Sequence, residues 1–287
     1  MKIGLVINID KNEAVLCAMQ IIRLFAHDEV EIILNNSVEE LIDDICCEKI
    51  TYFDCDEAVV KNSDLTITVG GDGTIIHNAK FSAMYNKPLI GVNMGRIGFV
   101  AGLERDEIHE LKKLVTGDYT LQRRMLLNIK LKRSGNIKQF VAVNECAITR
   151  DVLCPILDIS VALNDEKIIN HRADGMIFAT PTGSTAYSFS SGGPVVEPDM
   201  KCILLTPICP HALSSRQVVF SSDALLSATV NNANDSRAYL VVDGQTNVEI
   251  IQGDEIVITQ ADSYLELIIL KEKNFYTLLN EKLKEKN

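Results

Sequence analysis

The chain has 287 residues, of which 47% are hydrophobic, and its formal net charge is −11 at pH 7. This length is enough for two domains with a sizeable core, and the hydrophobic content excludes a disordered chain. The acidic balance argues against a nucleic-acid-binding surface and against a general attraction to anionic membranes. No apolar run approaches the ~20 residues of a membrane-spanning helix. We therefore expect neither nucleic acid nor membrane as a partner.

The eight cysteines and the first residues indicate a cytoplasmic protein. No two cysteines form a C-x-x-C pair, and no histidine lies at zinc-finger spacing, so a structural zinc is not expected. A chain of this length does not need disulfides, and we expect reduced thiols. The opening MKIGLVINID has a short apolar run that ends at Asp10, which predicts a first β-strand rather than a signal peptide.

The first 120 residues alternate between strand and helix patterns. The predicted strands are 3–9, 30–34, 65–69 and 88–93, and the predicted helices are 13–25, 38–47, one after residues 70–73, and 106–115. Such alternation is typical of a parallel sheet with helices on its faces, a Rossmann-like α/β domain. Ligands of these sheets bind beyond the carboxyl ends of the strands, where glycine loops 70–73 and 95–98 lie.

The stretch 65–80, LTITVGGDGTIIHNAK, predicts a strand, a tight turn and a helix. Three glycines leave the turn without Cβ atoms, so that a ligand can approach the main chain. Free N–H groups at the start of the helix attract phosphate, and Thr74 is a suitable N-cap. Asp72 places one carboxylate there, which is unfavourable near phosphate unless a metal ion or a substrate hydroxyl meets it. The alternative is an ordinary turn in which Asp72 is a capping residue.

Beyond residue 120 the pattern changes to many short strands joined by turn residues. Asn164-Asp165, Asp174-Gly175 and Asp243-Gly244 are typical of tight turns. The predicted strands are 127–132, 140–149, 156–163, 167–171, 175–179, 217–220, 228–230, 238–242 and 255–260. We predict an α/β domain over 1–120 and an all-β, sandwich-like domain over 121–273. A helix at 275–286, within a C-terminal segment 274–287, is expected to pack back on the first domain.

Two polar pairs in the β half are candidate binding residues. Asn144 and Glu145 lie within the predicted strand 140–149, where a buried pair must be hydrogen-bonded; the alternative is a solvated sheet edge. Arg172 and Asp174 lie two positions apart, in the stretch 171–175 that ends a predicted strand and makes a turn. They form either part of a site or an exposed ion pair at a turn.

The segment 180–193, TPTGSTAYSFSSGG, combines hydroxyl groups and small residues with the ring of Tyr187. Small polar residues beside one ring suit an adenosine or ribose pocket. The segment is either a linker or an ordered loop, and the apolar residues on both sides favour the loop. In the later segment 207–216, PICPHALSSR, His211 is either a packed loop histidine or a ligand.

Taken together and in order, six motifs resemble those of the NAD kinase family. They are GGDGT at 70–74, NMGRIGF at 93–99, Asn144-Glu145, ADG at 173–175, TPTGSTAYS at 180–188 and TPICPH at 206–211. GGDG alone also occurs in phosphofructokinases and in lipid kinases of the diacylglycerol and sphingosine type, whereas its combination with TPTGSTAYS is specific. The resemblance covers nearly the whole chain.

The resemblance implies ATP-dependent phosphorylation of the 2′-hydroxyl on the adenosine ribose of NAD, giving NADP. It implies the fold shared by NAD kinases and diacylglycerol kinases, in which a β-sandwich-like domain binds NAD and the C-terminus returns to the α/β domain. It also implies a homo-oligomer, a dimer or a tetramer, and Mg²⁺ as the divalent cation. Because much of the Mg²⁺ shell is expected from ATP and water, no protein metal ligand is predicted.

The same resemblance assigns roles to individual residues. Asp72 matches the catalytic carboxylate, Gly71 and Gly73 match its backbone neighbours, and His77 matches a basic or imidazole position near phosphate. The residues that match dinucleotide contacts are Asn144, Glu145, Arg172, Asp174, Thr185, Ala186, Tyr187, Ser188, Ser190 and Gln245.

Two positions depart from the family pattern. Arg96 stands where many members have His or Asn, and it either contacts phosphate or lies in solvent. His77 replaces the Arg of some members, and neutral imidazole binds phosphate less well than guanidinium, so Lys80 is a candidate to share this work. Two other functions compete: a lipid kinase, which the polar segment 180–193 disfavours, and a dinucleotide sensor without catalysis, which the intact GGDG disfavours.

Overall fold

The structure is a computed structural model, and it describes residues 1–42, 49–95, 98–212, 215–271 and 274–284. The chain forms two structural units. The first comprises Met1–Arg123 and Tyr264–Asn287, and the second comprises Arg124–Ser263. The chain crosses from one unit to the other twice, each time within a long strand.

The first unit is built on a parallel sheet. In chain order its elements are β1 (Lys2–Ile7), α1 (Asn12–Phe25), β2 (Glu31–Asn35), β3 (Ile50–Phe53), α2 (Asp56–Asn62), β4 (Leu65–Gly70), α3 (Asp72–Met84), β5 (Leu89–Asn93), β6 (Leu103–Glu104) and α4 (Lys113–Thr116), with 3-10 helices at Asn36–Leu41 and Arg105–Lys112. The strands pair in parallel in the order β5, β4, β1, β2, β3. The predicted α/β domain with a parallel sheet is confirmed.

Helices cover both faces of this sheet. In β1, Leu5 packs in the cluster that contains the buried side of α1. Val6, the next residue, points to the opposite face and packs with Val59 and Val60 of α2. At the carboxyl ends of the neighbouring strands β4 and β5, Gly70 and Asn93 are register partners. The two glycine loops therefore start from adjacent positions at one edge of the sheet.

Three predictions for this unit differ from the structure. The segment 38–47 was expected to be an α-helix, but the structure has a 3-10 helix at Asn36–Leu41, and residues 43–48 lie outside the described residues. Neither β3 nor α2 was predicted, because their apolar runs are only a few residues long. The segment 106–115 is a 3-10 helix followed by α4, which ends before Gly117 at a φ of +73°.

The second unit is an antiparallel β-sandwich. Its elements, some shared with the first unit, are β7 (Thr120–Arg133), β8 (Asn136–Ala142), β9 (Glu145–Arg150), β10 (Leu157–Leu163), β11 (Glu166–Ala173), β12 (Gly175–Ala179), a 3-10 helix Thr182–Thr185, α5 (Tyr187–Ser190), β13 (Cys202–Ile208), β14 (Val218–Ser221), β15 (Leu226–Val230), β16 (Ala238–Val242), β17 (Thr246–Ile250) and β18 (Glu255–Ile269). One sheet has the order β14, β13, β12, β9, β16, β17. The other contains β11, β10, β15 and β18, with β7 and β8.

Side chains from both sheets fill one core, which confirms the predicted sandwich. Ile129 and Ile159 enter it from one sheet, and Phe178 and Leu240 enter it from the other. The last helix, α6 (Phe275–Lys284), belongs to the first unit. No helix in the described ranges is long and apolar enough to cross a membrane.

The turns of the second unit were predicted better than its strands. Asn164, Asp165, Asp243 and Gly244 all have positive φ, as tight hairpin turns require. Asp174-Gly175 is not a hairpin turn, because β11 and β12 on either side of it belong to different sheets. The predicted strand 140–149 is wrong as one strand: β8 ends at Ala142 and β9 begins at Glu145. Strands β13 and β17 were not predicted.

Candidate active site

Asp72 lies at the carboxyl edge of the parallel sheet, in the first turn of α3. Gly71 is the N-cap residue in an extended conformation, with φ −89° and ψ 177°. Thr74 is therefore not the N-cap that the sequence suggested; its hydroxyl instead accepts a hydrogen bond from Asn8 Nδ2 at 3.2 Å. The helix starts at Asp72, two residues before Thr74, because an acidic side chain in the first turn is favourable near the positive end of the helix dipole. Gly73 in this turn is exposed, and the first N–H groups of a helix lack partners within the helix, so they can donate to an anion.

Backbone amides of the second glycine loop hold the Asp72 carboxylate. Phe99 N–H donates to Oδ2 at 3.1 Å, and Val100 N–H approaches Oδ1 at 3.5 Å. A Cβ on Gly98 would collide with this carboxylate, so only glycine leaves it in place. Asp72 is thus an acceptor with a fixed orientation, and its side chain remains one third exposed, at 33%. Such a carboxylate can accept a hydrogen bond, and then a proton, from a substrate hydroxyl.

Two lysines that the sequence motifs did not identify lie at this edge of the sheet. The Lys11 ammonium lies 3.9 Å from the position that a Cβ would take on Gly71 and 3.7 Å from the corresponding position on Gly95. Lys282, in the last turn of α6, places its ammonium 3.4 Å from Asp72 Oδ2. Lys11 precedes α1 and Lys282 lies in the last turn of α6, so neither belongs to a recognisable glycine motif. Both supply positive charge in a strongly acidic protein.

His77 is placed differently from Asp72 on the same helix. Five residues of α-helix separate the two by about 7.5 Å along the axis and turn them to different sides. The exposed His77 ring packs edge-on against Phe81, with 5.6 Å between ring centroids. Lys80 lies half-buried on the same helix. Arg96 and Ile97, the centre of the second glycine loop, lie outside the described residues.

In the second unit, the Asp243 side chain organises the break between β8 and β9. Its carboxylate accepts hydrogen bonds from the backbone N–H groups of Val143, Asn144 and Glu145 at 2.9, 2.8 and 3.1 Å. These amides would otherwise have joined a continuous strand. The predicted strand breaks here because a carboxylate on a hairpin turn collects three consecutive donors. Glu145 is thereby fixed at the first position of β9.

We expect Asp243→Ala to destabilise the protein by about 2–4 kcal/mol, because three partly buried amides lose a charged acceptor. Urea unfolding measures this difference. Asp243→Asn is the matched control, since asparagine tolerates the positive φ of +48° at this position and keeps one acceptor oxygen. Its loss should be clearly smaller. Equal stability of Asp243→Ala and wild type would show that these hydrogen bonds do not hold the strand break.

Glu145 is a buried carboxyl group with unused hydrogen-bonding capacity. It is 7% exposed, and its Oε2 atom has no hydrogen-bond partner among the described residues. Burial raises the pKa of Glu145 from 4.5 to about 7, the negative charge of Asp243 adds to the rise, and a hydrogen bond from the Tyr187 backbone N–H opposes it. A buried acceptor of this kind is suited to a ligand that brings hydroxyl or amide donors.

The segment 180–193 is an ordered loop built against Asn144. Thr180 N–H donates to the Asn144 carbonyl at 2.8 Å, and the Thr180 hydroxyl donates to the Val143 carbonyl at 2.7 Å. A Cβ on Gly183 would collide with the Asn144 backbone, so the glycine allows the two segments to meet. The loop then forms the 3-10 helix Thr182–Thr185 and α5. The prediction of an ordered loop rather than a linker agrees with these contacts.

The loop side chains differ in what they offer to a ligand. Ser188 is buried and shares a 2.8 Å hydrogen bond with the Thr206 hydroxyl, so it fixes the loop from inside. The Tyr187 ring is 40% exposed, Ser190 is exposed, and Thr185 and Ala186 are half-buried. The ring and the residues beside it therefore form the accessible part of the loop.

Arg172 and Asp174 do not form the exposed pair that the sequence left open. Asp174 pairs instead with Arg150 at 2.7 Å, and Arg150 also donates to the carbonyls of the loop after β9. The exposed Arg172 lies in β11, and its carbonyl accepts the His211 N–H at 2.9 Å. His211 is exposed rather than packed in the core.

Gln245 follows the Asp243-Gly244 turn and is exposed. Its backbone N–H donates to the Val242 carbonyl at 3.0 Å, which closes the turn. In the described residues, no group of three or more His, Cys, Asp or Glu side chains forms a metal-binding cluster.

Family models match both halves of the chain. The description "ATP-NAD kinase N-terminal domain" applies to residues 3–119, and "ATP-NAD kinase C-terminal domain" applies to residues 143–270. The chain is also 39% identical over 238 residues to the NAD kinase of Ruminiclostridium cellulolyticum, which covers 81% of this chain and 83% of that protein.

Two solved structures share the fold. The yeast NADH kinase complexed with NADH matches with a TM-score of 0.90 at 25% identity. The match covers 99% of this chain and 87% of the yeast chain. An NAD kinase from Archaeoglobus fulgidus in complex with ATP has a TM-score of 0.75 at 25% identity and covers 99% of both chains. The domain matches and these similarities together show that the chain belongs to the ATP-NAD kinase family.

Proposed function

We propose that Asp72 is the base of the reaction that this family catalyses, the transfer of the γ-phosphoryl group of ATP to the 2′-hydroxyl on the adenosine ribose of NAD. The observation that carries the proposal is the fixed carboxylate of Asp72 at the N-terminus of α3. This carboxylate belongs to the first glycine loop, accepts a hydrogen bond from the Phe99 N–H after the second loop, and keeps part of its surface open. The 2′-hydroxyl donates a hydrogen bond to Asp72 and gives up its proton as the oxygen attacks the phosphoryl group in line.

The phosphates need positive charge and amide donors more than they need a base. Phosphoryl transfer gains most from positioning and from neutralisation of charge. The first-turn amides of α3, beside Gly71 and Gly73, and the ammonium of Lys11 supply both at the glycine loops. His77 and Lys80 are proposed to act farther along the same helix. A net charge of −11 makes these local donors necessary, since the overall field repels ATP.

Binding of the dinucleotide is assigned to the second unit. We propose that Asn144 and the Oε2 atom of Glu145, which has no partner in the described part of the chain, accept hydrogen bonds from the adenosine part. The exposed ring of Tyr187 packs on the ligand, with support from Thr185, Ala186, Ser188 and Ser190. Arg172, Asp174 and Gln245 are proposed as further dinucleotide contacts.

Magnesium is proposed to arrive with ATP rather than to occupy a protein cage. Asp72 is a single carboxylate, and the described residues contain no cluster of three ligands. This donor set fits an ion held mostly by phosphate oxygens and water. When bound, Mg²⁺ neutralises charge on the phosphates.

The cellular compartment and the oligomeric state of the protein are proposals as well. The six cysteines in the described residues are free thiols, which suits a reducing compartment, and we propose that the protein works in the cytoplasm. We further propose a homo-oligomer, a dimer or a tetramer, which light scattering coupled to size-exclusion chromatography will measure.

One assay tests the activity against its two competitors. The purified protein is incubated with MgATP and either NAD or diacylglycerol, and the products are separated. We expect NADP and no phosphorylated lipid. Lipid phosphorylation would indicate a lipid kinase, and binding of NAD without any product would indicate a sensor.

We expect Gly98→Ala to lower kcat on the order of 10- to 100-fold, because the new Cβ displaces the Asp72 carboxylate from its position. Steady-state kinetics with NAD and MgATP measure the change. Gly95→Ala in the same loop is the control, since its Cβ would lie 3.7 Å from Lys11 Nζ and 3.8 Å from Asn93 Oδ1, both ordinary contact distances. Similar activities of the two variants would contradict the assigned position of Asp72.

A further inference from the structure

The C-terminal helix of the first unit delivers a charged side chain to Asp72. Lys282 Nζ lies 3.4 Å from Asp72 Oδ2, and the lysine side chain is 24% exposed. The same ammonium lies 4.0 Å from the centroid of the Phe99 ring. The Phe99 ring in turn lies 6.2 Å from the ring of Phe275, at the start of α6. Both ends of the helix therefore contact the residue whose amide holds Asp72.

A structural purpose alone does not account for this contact. Ion pairs that remain partly exposed add little to folding stability, and a lysine in the last turn of a helix is already favourable in solvent. Lys284 has that favourable position without contacting Asp72 in the described structure. The direct contact of Lys282 with the Asp72 carboxylate is thus a separate feature.

The reaction supplies a reason for such a cation. A negative carboxylate must stand close to the triphosphate of ATP while the hydroxyl attacks, and like charges at this distance repel one another. The amides of Phe99 and Val100 orient the carboxylate but carry no net charge. An ammonium on the same carboxylate offsets its charge and restricts its rotation.

We propose that Lys282 is a positioning residue of the phosphoryl transfer: it fixes Asp72 and offsets its charge, so that the triphosphate of ATP can approach the carboxylate. This role rests on the proposed function of Asp72 as the base. Lys282 acts through Asp72 and through the approach of ATP, and it makes no contribution to NAD affinity.

The test compares Lys282→Met and Lys282→Arg with the control Lys284→Met. Methionine keeps most of the stem that packs on Phe99 and removes the charge. For Lys282→Met we expect kcat to fall roughly 10- to 100-fold and KM for ATP to rise several-fold, with KM for NAD within about twofold of wild type. Lys282→Arg should recover part of kcat, because it keeps the charge. Lys284→Met should behave as wild type, and all three should unfold at similar temperatures.

Several results would overturn the proposal. These are a wild-type kcat and KM for ATP in Lys282→Met, an increased kcat, equal losses in Lys282→Met and Lys282→Arg, or a loss that accompanies unfolding. The double variant Asp72→Asn with Lys282→Met should be no slower than Asp72→Asn alone, since a residue acting through Asp72 adds nothing once the base is gone. An additive loss would contradict the proposal.

The Asp72→Asn variant measured in parallel separates the two hypotheses. If Asp72→Asn keeps wild-type turnover, the proposed role of Asp72 fails. If Asp72→Asn is impaired while Lys282→Met is normal, only the role of Lys282 fails.

Discussion

Asp72→Asn is expected to lower kcat by about 10²–10⁴-fold, the usual contribution of a positioned acid or base. The amide oxygen of asparagine can still accept the Phe99 N–H, so the loop should keep its shape. What disappears is the group that takes the proton from the 2′-hydroxyl. KM for NAD should stay close to wild type, because the asparagine oxygen can still accept a hydrogen bond from the 2′-hydroxyl and the other proposed NAD contacts lie in the second unit.

Initial rates of NADP formation at saturating MgATP measure this effect, and direct NAD titration of the inactive variant measures binding. Asp64→Asn is a suitable control, since Asp64 lies just before β4 and its carboxylate accepts the Lys2 N–H at 2.7 Å, away from the glycine loops. A wild-type kcat for Asp72→Asn would show that another group takes the proton.

Glu145→Gln is expected to weaken NAD binding and to stabilise the free protein at alkaline pH. Loss of a charged acceptor from a ligand hydrogen bond corresponds to an increase in KM for NAD of about 10- to 100-fold. In wild type, KM for NAD should fall as the pH rises through about 7, where the buried carboxyl ionises. In Glu145→Gln this pH dependence should be absent.

The stability effect follows from the sign of the pKa change. The pKa of Glu145 is raised in the folded protein, so the folded state binds the proton more tightly than the unfolded state. The contribution of protonated Glu145 to the free energy of unfolding is therefore complete below pH 4.5, and it decreases as the pH rises towards about 7. At about 1.4 kcal/mol per pKa unit, the whole change is on the order of 3 kcal/mol.

Urea unfolding at pH 5 and pH 8 measures the difference. Glu145→Gln should be more stable than wild type at pH 8, and the difference should shrink at pH 5. Glu166→Gln, at an exposed position in β11, is the control and should show no such change. Equal stabilities of Glu145→Gln and wild type at pH 8 would mean that the buried carboxyl imposes no penalty on folding.

Features that depend on local sequence were predictable. The alternation of Leu65, Ile67 and Val69 predicted β4, because all three side chains are buried in the sheet. The Asp243-Gly244 turn was predictable since both residues adopt a positive φ, which Asp and Gly tolerate. Of the three glycines in GGDG, only Gly70 is closely approached, since a Cβ there would lie 2.7 Å from the Thr74 side chain.

Features that depend on distant contacts were not predictable. Nothing in the apolar pattern around Val143 indicates that a strand ends there. The strand breaks because Asp243, which lies 100 positions later, accepts a hydrogen bond from the Val143 N–H. Lys282 lies 210 positions after Asp72, and nothing in the pattern of α6 distinguishes it from Lys284. Strand β13 was missed, and Pro207, which begins the segment 207–216, is paired with Met176 in the sheet.

The most direct test of the account is a crystal structure of the Asp72→Asn variant with NAD and a non-hydrolysable ATP analogue. We expect the 2′-oxygen of the adenosine ribose to lie within hydrogen-bond reach of the side chain at position 72, at about 2.6–3.2 Å. We also expect the loop 180–193, which carries Tyr187, to contact the dinucleotide. A ribose bound far from position 72, with that loop turned away from the ligand, would contradict it.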